Sequence, residues 1–180
     1  PNSITTDQIK SFSTVSEMLE SPNQHWILLR TSDNERTNNA YVLTLADISD
    51  PKNVRFSDIT ISANDITAPT SGQTEKFSIV EWDMGSRYIL LKHQVGDTSE
   101  YVRIDRENPT MTSNLTKTFG LDISSPHFSG TSGQIFFALT GSDLRKFDAS
   151  NQTASAPLAT GVQSYQLTEN NMISFVATET

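Results

Sequence analysis

Trp26-Ile27-Leu28-Leu29, Tyr88-Ile89-Leu90-Leu91 and Ile135-Phe136-Phe137-Ala138 are one phrase in three spellings. Each is an apolar run of strand length, preceded by a polar turn and followed by a second strand that opens on an aromatic or Leu and closes on Asp. Self-similarity at a spacing of tens of residues marks a repeat architecture. In these runs both alternate faces are apolar, whereas a strand with water on one side alternates apolar with polar. Each run must therefore be covered on both faces, as is a middle strand held between neighbouring sheets.

Outward from these runs, strand signals dominate. β-branched and aromatic residues cluster in short runs bounded by Gly, Pro, Asn and Asp, the punctuation of an all-β chain. The pattern predicts strands at Trp26–Thr31, Tyr41–Ala46, Val54–Ile61, Phe77–Trp82, Tyr88–His93, Tyr101–Asp105, Ile135–Thr140, Asp143–Phe147, Val162–Leu167 and Met172–Ala177, with weaker ones at Met111–Lys117 and Ser155–Thr160. Short connections such as Gln94–Glu100 and Gly141–Ser142 cannot hold the crossover of a parallel pair, so the strands meander antiparallel. Thr5–Glu20 reads two ways. Ile9, Phe12, Val15 and Met18 recur at helical spacing behind a possible capping box, Thr5-Thr6-Asp7-Gln8. Against that, Phe12-Ser13-Thr14-Val15 aligns with Phe77-Ser78-Ile79-Val80, and a strand is preferred.

The stretch 61–75 is polar, contains Gly and Pro and is unpatterned, as an inserted loop would be. Without it the interval from Trp26 to Tyr88 approaches the roughly 40–45 residues of a four-stranded propeller blade. The fold expected is all-β, antiparallel four-stranded blades in a β-propeller or propeller segment of about three and a half repeats. The units fall near 9–61, 76–119, 125–160 and 162–180 in a single domain. Pro109 and Pro157 sit at the margins of the last strands, where an outer edge tolerates a residue that cannot donate to a ladder. The fourth unit stops after two strands. Its unpaired edge at Val162–Ala177 is a template for completion by further chain or for self-association.

Ser125-Pro126-His127-Phe128-Ser129, then Ser132-Gly133-Gln134-Ile135-Phe136-Phe137, then Leu144-Arg145-Lys146-Phe147-Asp148 resembles the WD40-like repeat of TolB-type propellers. That repeat runs S-P-x-F-S, a D-G-K-like turn, an apolar strand, and a strand ending in Asp. Ser132-Gly133-Gln134 lacks the Asp of the turn; Asp83-Met84-Gly85-Ser86-Arg87 and Ser21-Pro22-Asn23-Gln24-His25 occupy the same place imperfectly. The resemblance covers roughly residues 18–180. The wording of the whole chain is also similar to bacterial envelope proteins in which a propeller follows a membrane anchor and a PEGA domain. It implies an extracytoplasmic propeller anchored through upstream sequence. The start at Pro1, with no initiating Met, agrees with a piece of a longer chain.

Composition narrows the chemistry. A formal net charge of −8 opposes the basic stripe that phosphate backbones require, so nucleic acid is not an expected partner. No run approaches a membrane span. With no cysteine, disulfides, thiolate metal sites and Cys nucleophiles drop out together. Asp47, Asp105 and Asp148 could be imagined as an acid/base cluster. A catalytic residue is needed once, however, and a turn residue once per repeat, so they are read as turn residues bonding the backbone two positions on. His127 lies near Ser129 and Ser132, yet no G-x-S-x-G elbow occurs. His25, His93 and His127 lack metal-ligand spacing, and Asp33-Asn34-Glu35 lacks that of a calcium loop. No catalytic, cofactor or metal residue is therefore assigned. The expected role is a non-enzymatic scaffold or recognition module presenting loops to protein or glycan, the alternative being a domain of a propeller-type glycosidase or peptidase.

Overall fold

The computed structural model describes residues 14–31, 40–168 and 172–178. Three four-stranded antiparallel sheets follow one another along the chain, and a two-stranded one comes after them. The first contains β1 (Val15–Glu20), β2 (Trp26–Thr31), β3 (Ala40–Asp47) and β4 (Arg55–Ser62). The second contains β5 (Glu75–Trp82), β6 (Tyr88–Val95), β7 (Thr98–Asp105) and β8 (Ser113–Asn114); the third, β9 (Ile123–Ser129), β10 (Ile135–Thr140), β11 (Asp143–Asp148) and β12 (Thr153–Ala154). β13 (Val162–Leu167) and β14 (Ile173–Ala177) form the last. Strands pair strictly in chain order, which is the meander of a propeller blade.

The three apolar phrases are β2, β6 and β10, each second in its sheet and buried on both faces. Leu28, Leu43, Ile59, Ile89 and Ile104 belong to one core between the first two sheets. Leu90, Phe136 and Phe147 join the second sheet to the third, and Phe137, Leu144 and Val162 join the third to β13. Faces of one strand thus serve two cores, as Ile89 and Leu90 do, because successive side chains point to opposite sides.

The same turn enters each phrase. Gln24, Ser86 and Gly133 stand two residues before Trp26, Tyr88 and Ile135, with φ of 59°, 60° and 58°. Only the third is glycine, so two blades accept the left-handed cost of roughly 1–2 kcal/mol. In each of the three full sheets the residue after the strand-ending Asp donates its N–H to the carbonyl just before the phrase: Ile48 to His25, Arg106 to Arg87, Ala149 to Gln134, at 2.8–2.9 Å. The repeat is therefore one of main-chain geometry more than of residue identity.

Several sequence expectations need correction. Met111–Lys117 is not a strand: a 3-10 turn at Pro109–Met111 leads to the two-residue β8 and a short helix, α1 (Leu115–Phe119). Asn114 caps that helix by accepting from the Lys117 N–H, Gly120 closes it in the left-handed region, and Leu115 is buried. The strand placed at Ser155–Thr160 pairs earlier, at Thr153–Ala154, leaving one bridge from Ala159 to Leu144, because Pro157 interrupts the ladder. β9 was not among the predicted strands although it contains the Ser125–Ser129 motif. Val15–Glu20 is a strand; Thr5–Ser13 lies outside the described residues. The 61–75 stretch is anchored, with Ile66 only 3% exposed in the core between the first two sheets.

Candidate functional site

The three repeated aspartates end β3, β7 and β11, and each accepts the N–H two residues on: Ser49 to Asp47, Glu107 to Asp105 and Ser150 to Asp148, at 3.1, 3.0 and 2.9 Å. All three carboxyls titrate below their ordinary value: the Ser49 hydroxyl holds down Asp47, the Arg87 guanidinium Asp105, and the Asn151 side chain Asp148. Asp105 does more than the other two. Arg87 grips it through both oxygens, Nε to Oδ1 at 2.9 Å and Nη2 to Oδ2 at 2.6 Å. They are spread over three sheets and serve three separate turns.

First strands lie against first strands, and each contact has its own tie. Trp82 donates its indole N–H to the Leu19 carbonyl, linking β5 to β1. Glu81 links β5 to β9: one carboxylate oxygen takes the Phe128 N–H and the other meets His127 Nδ1 at 2.9 Å. The Tyr165 hydroxyl reaches back from β13 to the carbonyls of Ser125 and Phe137. Burial, reinforced by the charge of Glu81, raises the pKa of that hydroxyl, which stays protonated to donate. Where β5, β9 and β13 end, these groups border a hollow of about 560 Å3, lined among others by Trp82, Met84, Phe128, Thr131 and Leu167. Met84 is 56% exposed beside it. The Glu81–His127 pair stands on its wall, with the His127 ring edge-on to Tyr165.

A second polar cluster is centred on a fully buried histidine. His93 on β6 has zero exposure, meets Glu100 Oε1 through Nδ1 at 2.7 Å and Glu75 Oε1 through Nε2 at 2.8 Å, and stacks on Phe77. Glu100 also accepts from the Thr67 N–H, the Thr67 hydroxyl and Asn114 Nδ2. Burial alone would raise its pKa; the hydrogen bonds from His93, Thr67 and Asn114 reverse that and bring it to about 2. Asp83, in the turn before β6, is buried too, and desolvation raises its pKa despite N–H groups of Tyr88, Arg87 and Gly85.

The structure therefore takes each histidine of the sequence to a different place. His25 is exposed in a turn, His93 is inside the second sheet, and His127 faces Glu81 across a sheet boundary. The Ser132 hydroxyl accepts from Gln134 N in its own turn. Among the described residues no group of three or more His, Asp or Glu is arranged to hold a metal, and no helix is long and apolar enough to cross a membrane. Asp33-Asn34-Glu35 lies outside the described residues. Sequence reasoning missed Glu81 and the Glu75–His93–Glu100 set. A carboxylate or histidine inside an otherwise apolar strand was the available signal, since such a group needs buried partners.

These features define a propeller-type chain: an all-β segment of three full blades and part of a fourth, with its first strands side by side. No family model matches the sequence, and no curated protein matches it. Among solved structures it is similar to the crystal structure of TolB from Acinetobacter baumannii, with a TM-score of 0.53 and 14% identity, over 91% of this chain and 38% of that one. At that identity the likeness is one of fold, and the chain spans well under half of the TolB chain.

Proposed function

We propose that this chain is a non-catalytic recognition module, part of a β-propeller in a bacterial envelope protein, which takes a protein segment at the hollow where β5, β9 and β13 end. The observation that carries the reading is the hollow itself. It is large enough for one or two side chains, it is walled by Trp82, Phe128 and Leu167, and it has an exposed Met84 at its rim and a few polar groups to orient what enters. Its lining mixes apolar walls with the hydrogen-bonding side chains of Thr131, Gln166 and Thr168, which suits a protein segment that presents an apolar side chain beside its polar backbone. Both oxygens of Glu81 already hold β9 against β5, a structural duty that favours binding over acid/base work. The resemblance of the repeats to those of bacterial envelope propellers that follow a membrane anchor supports an extracytoplasmic place, with anchoring through upstream sequence.

Site-directed photo-crosslinking tests the proposal. A benzophenone side chain at Met84 should yield defined protein adducts in cell envelopes, lost when His127→Ala is added, while the same probe at Phe56 on β4 should not. Equal adducts from both positions would refute the assignment. The Glu81–His127 pair also gives the hydrolase alternative a concrete form: turnover of chromogenic glycoside or peptide substrates that vanishes in His127→Ala would replace recognition by catalysis.

A further inference from the structure

We propose that His93 carries a proton on both ring nitrogens and acts as a pH-sensitive latch that fastens the 63–74 connection to the seam between the first two blades. A ring nitrogen bonded to a carboxylate oxygen needs a hydrogen to donate, since two acceptors repel. His93 meets a carboxylate on each side, Glu100 at 2.7 Å and Glu75 at 2.8 Å. Glu100 also accepts from the Thr67 N–H, the Thr67 hydroxyl and Asn114 Nδ2, a set of donors that suits an ionised carboxylate with no proton to give. With both carboxylates ionised, the arrangement is complete when the ring is an imidazolium, a protonation that histidine, alone among side chains, ordinarily gains and loses near neutrality.

What the ring holds is specific. Glu75 opens β5, where the 63–74 connection ends, and Glu100 grips the middle of that connection through both the N–H and the hydroxyl of Thr67. Asn114 completes the tie by donating to Glu100 and to the Asp65 carbonyl. On the face of the ring, Phe77 stacks at 4.2 Å and in turn on Tyr41 of the first blade at 3.6 Å. Among the described residues, the charged and titratable groups around the latch include Glu75 from β5, Glu100 from β7, Lys117 of α1 at 4.0 Å from Glu100, and Tyr41 from β3, which has Arg30 and Glu17 beside it. Removing one ring proton sets a bare nitrogen against a buried carboxylate, and the tie on the connection weakens.

The test uses the 180-residue chain labelled with 15N-histidine. Long-range proton–nitrogen spectra at about pH 6 should place both His93 nitrogens in the protonated range. After correction for intrinsic exchange, protection of the Thr67 amide should fall by about tenfold or more between about pH 6 and pH 9, the loss of one charged hydrogen bond. Glu75→Gln is the deciding variant. A glutamine can donate to a bare nitrogen as well as accept from a protonated one, so Thr67 protection should persist and its pH dependence should vanish. A bare His93 nitrogen at about pH 6, or wild-type Thr67 protection that is the same at both pH values, would overturn the latch. So would a Glu75→Gln chain that keeps the wild-type pH dependence.

Discussion

Glu100→Gln should cost stability at neutral pH and remove a defined part of the acid sensitivity of the fold. The wild-type carboxyl drops from its ordinary 4.5 to about 2 in the folded chain. At about 1.4 kcal/mol per unit, that difference is about 3 kcal/mol of stability. Because the folded pKa lies below the unfolded one, the contribution is fully present above about pH 4.5 and is lost as pH falls towards 2. For a chain of this size it corresponds to a melting shift of about 6–12 °C. Urea unfolding followed by tryptophan fluorescence, run on both chains at a series of pH values, measures it. Asp47, Asp105 and Asp148 also titrate low and lose their contribution with acid in both chains, so they cancel and the difference between the two curves reports Glu100 together with the His93 ring bonded to it. The difference should be largest at neutral pH and close as pH approaches 2. Equal stability at neutral pH, or curves that stay parallel into acid, would refute the reasoning.

The core should respond to truncation: Trp82→Ala and Phe137→Ala, at 6% and 8% exposure, should each cost about 3–5 kcal/mol in the same assay. The repeated aspartates should separate. Asp148→Asn can keep the local turn and should be nearly silent, whereas Asp105→Asn also breaks the two-point Arg87 grip on a largely buried carboxylate and should cost about 1–3 kcal/mol. The two-stranded last sheet exposes Phe175 and Val176 on β14. Light scattering after size exclusion should show concentration-dependent association that Val176→Lys suppresses, and a strictly monomeric chain at all concentrations would count against an open edge.

β2, β6 and β10 were legible because burial on both faces leaves a sequence mark that needs no alignment: Leu28, Leu29, Leu90, Leu91 and Phe136 are apolar whichever way they point. β9 left no such mark, since Ser124, Ser125 and Pro126 dilute it and the strand is placed by its neighbours β10 and β5. α1 is five residues long, too short for helical periodicity to emerge, and only Asn114 and Gly120 announced it. The Asp turns were legible because their bond spans two residues. Arg87 on Asp105, eighteen residues away, was not, and neither was Glu81 against His127 across forty-six. The burial of the 63–74 connection hangs on a single apolar residue, Ile66, which no periodicity marks out.

The ties between first strands have a consequence for how such a chain is read. Each seam is keyed differently: an indole to a carbonyl at the first, a carboxylate to a histidine and an amide at the second, a phenol to two carbonyls at the third. At the second seam the fit is also steric, since a methyl group on Gly133 would lie 2.3 Å from the Tyr88 ring and one on Gly85 2.1 Å from the Thr131 carbonyl oxygen. The blades share a backbone plan yet are not interchangeable parts. Their order of neighbours is written into the joints, which frees the words within each blade to differ while the assembly keeps a single sequence of contacts.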